Sequence, residues 1–220
     1  MIELFQKGGP TMWPILFLSI IGVAIIVERV VVLVRERTDT EVFLSRIMTA
    51  LEGHRYEEAL AEARAGKGAM ARILTAGLEK ARRGRGEVEK AIVARGNIEI
   101  GKLERGFMAL QVVAKLEPLL GFFGTVTGMI NSFAAMANVG ASDPSAVANG
   151  ISEALITTAA GLAIAMPVFF AHSMLISMVN KFVQEMEESS VRILDAIEAA
   201  EEKQARKLSH DEIGGQYLEI

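Results

Sequence analysis

Three stretches without charge dominate the chain. Residues 8–27 (20 residues), 118–142 (25) and 154–180 (27) carry no Asp, Glu, Lys or Arg, and His172 is the only ionisable group within the third. A bilayer core of about 30 Å takes about 20 apolar residues as an α-helix, at about 1.5 Å each. Backbone in lipid must satisfy its own hydrogen bonds, so each stretch is expected to cross as a helix. The first ends at Glu28-Arg29 and resumes as an apolar run over 30–34. It is longer than the apolar part of a secretory signal, and Glu28-Arg29 is no small-residue cleavage site. The second has an apolar lead-in from Gly106, broken by Lys115 and Glu117.

Composition agrees. Of the 220 residues, 51% are hydrophobic, and the mean hydropathy is +0.33, which suits a bilayer better than a soluble domain. The chain has no Cys, which excludes disulfides and thiolate chemistry. His54, His172 and His210 are too scattered for a metal motif. No nucleophile–base constellation stands out, so neither enzymatic activity nor a cofactor is expected. A pI near 5.5 disfavours nucleic acid as a partner. Of five prolines none falls in the 103 residues between Pro14 and Pro118, which favours long helices.

Basic residues set the expected orientation. Residues 35–105 hold 15 Lys and Arg and the tail from Lys181 holds five, whereas residues 138–150 hold none. Positive charge stays on the cytoplasmic side. The expectation is an all-α polytopic membrane protein. Residues 1–34 form a periplasmic N-terminus and span one, 35–105 a cytoplasmic helical loop, and 106–139 span two. Residues 140–149 form a periplasmic link, 150–180 span three, and 181–220 a cytoplasmic helical tail. Within the loop, apolar residues including Leu51, Ala59, Ile73 and Leu78 recur at helical spacing, with breaks at 65–68 and 83–86. A helix from Glu87 is expected to run on into span two. Span three is expected to run on into the tail, whose Phe182, Met186, Val191, Leu194 and Ile197 need a partner, with neighbouring subunits as a candidate.

Spans two and three are rich in small residues. Ala114, Pro118, Gly121, Thr125, Gly128, Ser132 and Ala135 make one predicted stripe; Gly150, Ala154, Thr157, Gly161 and Ala165 make another, with Thr158 beside it. Such stripes let helix backbones approach closely, and packing is their plain role. The hydroxyls of Thr125, Thr157 and Thr158 can also serve water or a passing ion. With the turn placed near Pro144, Thr125 is expected roughly 7–8 Å deeper than Thr158 from the outer side. Glu153 has two readings: a favourable charge at the N-terminus of helix three, or a pore-facing carboxylate. Glu28-Arg29 reads as a local charge arrangement. Lys115 and Glu117 are expected to meet partner charges at the inner end of span two.

The stretch Glu117-Pro-Leu-Leu-Gly-Phe-Phe-Gly-Thr-Val-Thr-Gly-Met-Ile-Asn-Ser-Phe resembles the second-span signature of the MotA/TolQ/ExbB proton-channel family. Gly150-Ile-Ser-Glu-Ala-Leu-Ile-Thr-Thr-Ala-Ala-Gly-Leu-Ala-Ile-Ala-Met-Pro resembles its third-span signature. The resemblance, nearest to ExbB-type biopolymer transport proteins, implies that Thr125 and Thr158 line an ion path. It also implies Glu153 as the family glutamate and Pro167 as the proline late in span three. Thr127 stands where the best-known ExbB and TolQ members have Trp. MotA carries an additional span.

Spans without an Asp imply, through the resemblance, a proton carrier on a partner: a single-span ExbD/TolR-like protein with an intramembrane Asp. The family likeness further implies a homopentameric ring in the bacterial inner membrane, driving a TonB- or TolA-like protein. The rival expectations are a membrane scaffold with no ion path and a TolQ- or MotA-like stator of another system.

Overall fold

The computed structural model describes residues 2–36, 40–139 and 144–216. Part of the expected link, 140–143, lies outside the described residues. In chain order the helices are α1 (Ile2–Lys7), α2 (Met12–Glu36), α3 (Thr40–Glu52), α4 (Tyr56–Ala65), α5 (Gly68–Leu78), α6 (Arg85–Leu103), α7 (Phe107–Val139) and α8 (Pro144–Gln216), with a 3-10 turn at Ala81–Arg83. No strand occurs among the described residues. Three helical stretches are long and apolar enough to cross a membrane. The chain divides into two compact units.

The first unit joins Met1–Val31 with Arg105–Ser177. Its outward faces carry Trp13, Phe17, Phe122, Phe123, Phe133, Phe169 and Phe170, all more than half exposed. Side chains of that kind suit lipid tails or other membrane helices. Inside lie Ile15, Leu110 and Leu175. Gly22 of α2 admits α7 and α8 together: a Cβ there would stand 3.2 Å from Val113 and 3.5 Å from Val168.

The expected run of one helix from the loop into span two does not occur. α6 ends at Leu103, and α7 starts at Phe107. Between them Gly106 takes φ +86°, a left-handed conformation that glycine adopts without a Cβ clash. The signal was in the sequence as a lone glycine between charged and apolar runs.

The second unit joins Val32–Glu104 with Met178–Ile220. The breaks fall where glycines and charges placed them: α4 ends at Ala65, α5 starts at Gly68, and α6 starts at Arg85. Leu44, Ile47, Leu51, Ile73, Leu74 and Ile92 form one core with Met186, Ile193, Leu194 and Ile197 of α8. Each fully buried Leu or Ile contributes about 1.5–3 kcal/mol relative to exposure. The partner of the tail's apolar stripe is thus the loop of the same chain, which corrects the expectation of neighbouring subunits. Val191 alone of the five predicted tail residues stays out, at 55% exposed.

One buried carboxylate organises the polar side of this unit. Glu99, 1% exposed, receives Arg72 at 2.8 Å on Oε2, and Arg95 at 2.8 Å and Lys102 at 3.0 Å on Oε1. Arg72 also reaches Glu36 at 3.0 Å. Burial pushes the Glu99 carboxyl up, but the hydrogen bonds from Arg72 and Lys102 outweigh it and hold it below the usual range. The hydrogen bond to Glu99 in turn raises Arg72, against the opposing effect of burial.

Candidate functional site

The small residues of α7 and α8 meet along one seam. On α8 the predicted stripe is the observed one: Gly150, Ala154, Thr157, Gly161 and Ala165 are all buried. On α7 the buried row is Ala114, Glu117, Gly121, Gly124, Gly128 and Ser132. Pro118, Thr125 and Ala135 of the predicted row are only half-buried, and Glu117 and Gly124 stand in the seam instead. Both rows step by three and four and so keep to one side of a 3.6-residue helix; the observed row is selected by the close approach of Gly121, Gly124 and Gly128 to α8. A row stepping by three and four from Ala114 passes through Glu117, Gly121, Gly124 and Gly128.

The approach is close enough to exclude side chains. A Cβ on Gly121 would lie 2.9 Å from the Thr157 carbonyl oxygen and 3.0 Å from Thr158 Cα. One on Gly128 would lie 2.8 Å from the Gly150 oxygen, and one on Gly161 2.5 Å from the Glu117 oxygen. Gly124 makes room for the Thr157 side chain. Ser132 Oγ donates within this seam, 3.1 Å from the Gly128 oxygen and 3.2 Å from that of Val147.

The threonines differ in placement. Thr157 is fully buried, with its hydroxyl 2.9 Å from the Ala154 oxygen, 3.2 Å from that of Glu153 and 3.4 Å from that of Gly121. Thr158 is half-buried and donates across the seam to the Gly121 oxygen at 3.1 Å. Thr125 is half-buried and donates to Phe122 of its own helix at 2.5 Å. The seam therefore brings Thr157 and Thr158 together on Gly121 and leaves Thr125 one turn away. Pro167 is exposed and lies off the seam.

Two expectations change with this register. Gly128 faces Gly150 and Ala154, and Gly121 faces Thr157 and Thr158. Thr125 is therefore level with about residue 154, and Thr158 lies roughly 6 Å further from the α7–α8 link, from four residues of helical rise. The predicted depth order is reversed, because the two helices are related about residues 139–140 rather than about Pro144. Further, α8 begins at Pro144, a residue suited to the first helical position. Glu153 is then nine residues inside the helix, beyond the first turn where the helix dipole acts. Its helix-end reading falls.

Glu153 is half-buried and lies against Gly9, which takes φ +67°. Lys7, Asn131, Asn149, Ser152 and Glu153 line an open cleft of about 390 Å³. Near the other end of this unit Arg29 is 5% exposed and pairs with Glu28. His172, also buried, meets the Phe107 ring edge-on at 6.1 Å. Lys115 is exposed, but Glu117 is enclosed by its own chain at 0% exposure, so no partner's charge reaches it. No group of His and acidic residues able to hold a metal occurs among the described residues.

A helical protein with three segments long and apolar enough to cross a membrane, two of them packed along a glycine seam bearing hydroxyls, has the architecture of a multi-pass membrane protein. The family model for the MotA/TolQ/ExbB proton channel family matches residues 65–188, over half of the chain, and the chain belongs to that family. It is a channel family rather than an enzyme class. The chain is 30% identical to the TolQ protein of the Tol-Pal system of Haemophilus influenzae over 84% of this chain and 87% of that protein. It is 30% identical to an ExbB homolog of Methanothermobacter thermautotrophicus over 84% of this chain, but spans only 66% of that relative's length. It is 31% identical to the biopolymer transport protein ExbB of Salmonella typhimurium over 41% of this chain and 37% of that protein.

Proposed function

We propose that this chain is the channel subunit of an inner-membrane motor driven by the proton-motive force. Its subunits form a ring, a pentamer in this reading, around single-span ExbD/TolR-like helices bearing an intramembrane Asp. The output drives a TonB- or TolA-like protein. The N-terminus and the α7–α8 link face the periplasm, and the loop and tail face the cytoplasm, as the basic residues favour. Thr125, Thr157, Thr158 and Glu153 belong to the ion path. Glu153, in its open cleft, draws cations toward the seam. The threonine hydroxyls hydrate the partner's carboxylate and ease its ionisation. Moving one charge through ~100 mV supplies ~2.3 kcal/mol, enough to bias a helix rearrangement.

The observation that carries this reading is the pair of adjacent hydroxyls, Thr157 and Thr158, gathered on the Gly121 carbonyl in the α7–α8 seam. The test is Thr158→Ala at normal protein level. Assembly is expected to persist while proton flux and coupled envelope function are lost. A scaffold without an ion path predicts that the same change is silent.

A further inference from the structure

Glu117 takes no part in the reading above. Its side chain is 0% exposed, and neither carboxylate oxygen has a hydrogen-bond partner. It stands one helical turn, about 6 Å, from Gly121, whose carbonyl accepts the Thr158 hydroxyl. Its own backbone faces Gly161 across the seam.

Among the described residues, no cation forms an ion pair with it. Lys115, two positions earlier on α7, is exposed and projects from another face. α8 carries no ionisable side chain between Glu153 and His172, and α2 none between Met12 and Val27. Glu153 and His172 lie roughly 12 and 16 Å along α8 from Gly161. An ionised carboxylate with neither donor nor cation, inside a membrane helix pair, is strongly disfavoured. The neutral acid is the form such a place accommodates.

We propose that Glu117 is a proton-binding site of this chain on the α7–α8 seam. Its carboxyl holds a proton while the seam is packed. It gives that proton to water when the seam opens and takes one back when it closes. The inference rests on the seam carrying protons, but it adds a carrier on this chain to the one supplied by a partner.

The experiment compares Glu117→Gln, Glu117→Asp and Thr158→Ala, each placed in the chromosomal gene. Glutamine keeps the shape and neutrality of the protonated acid, so a merely structural side chain tolerates it. In membrane vesicles, Glu117→Gln is expected to assemble and to lower proton flux at least tenfold, with part of the flux restored by Glu117→Asp. Infrared spectra of the purified wild type at about pH 6, where an ordinary glutamate is ionised, are expected to show a protonated-carboxyl carbonyl band that Glu117→Gln removes. Wild-type flux in Glu117→Gln, or no protonated carboxyl in the wild type, overturns the proposal. If Thr158→Ala lowers flux and Glu117→Gln does not, the channel reading stands and this one falls. Unchanged flux in Thr158→Ala removes the channel reading itself. Should Glu117→Gln fail to assemble, the wild-type spectrum with carboxyl-labelled glutamate decides alone: no protonated glutamate at about pH 6 overturns the proposal.

Discussion

Thr158 donates its hydroxyl to the carbonyl oxygen of Gly121 at 3.1 Å, across a seam so tight that a Cβ on Gly121 would stand 3.0 Å from Thr158 Cα. The bond and the glycine depend on each other. A larger residue at 121 would push α8 away and leave the hydroxyl without that acceptor.

Gly161→Ala is expected to destabilise the membrane unit by about 1–3 kcal/mol, the usual cost of overpacking. Its new methyl would land 2.5 Å from the Glu117 oxygen and 3.2 Å from Gly121 Cα, both backbone atoms that cannot rotate aside. Gly86→Ala is the control: it sits in α6 with nothing within 4 Å of the new atom. That change is expected to be neutral or stabilising by up to about 1 kcal/mol. Thermal melts in detergent, followed by the fluorescence of the only tryptophan, Trp13, and by circular dichroism, test the pair.

Thr157→Val keeps the shape of a fully buried side chain and removes its hydroxyl. The carbonyls it serves, including those of Ala154 and Glu153 on its own helix, lose only a supplementary donor. A loss of about 0.5–1.5 kcal/mol is expected in the same melts. A loss several times larger sinks the account of Thr157 as a supplementary donor.

Glu99 makes the second compact unit sensitive to acid. Its folded-state carboxyl lies below its ordinary value, so its contribution is present above about pH 4.3 and is lost as pH falls through the lower folded value. Glu99→Gln is expected to lower stability at pH 7 by about 1–3 kcal/mol and to flatten its decline on acidification. Melts followed by circular dichroism from neutral pH down to about pH 3 test both the size and the slope.

Glu153→Gln is expected to leave helix content and assembly unchanged and to reduce proton entry several-fold. The carboxylate stands in an open cleft with Lys7, away from the helix end. Proton uptake by vesicles, measured with a pH-sensitive dye, reads the effect. Flux equal to wild type removes Glu153 from the ion path.

The helices were legible because charge, glycine and proline punctuate them: the breaks near 66 and 84 and the α8 stripe follow directly from the residues. The α7 row was misread by following Pro118 and Thr125, each one position away from the buried Glu117 and Gly124. Small size was used as the guide, and a glutamate does not look like a seam residue. Nothing local signals that Glu117 lies in the seam, since its backbone meets Gly161, 44 positions later in the sequence. The start of α8 was also hidden, because Pro144 and Ser145 read equally well as a turn or as a first helical turn.

The close backbone approach in the seam resists sliding of α7 along α8. A slide by one residue would bring side chains to places where Gly121, Gly128 and Gly161 leave no room for a Cβ. The hairpin is therefore a plank, stiff along its length. In the motor proposed above, sliding movements are taken up where the hairpin borders other helices, and those borders are where engineering of speed or torque should begin.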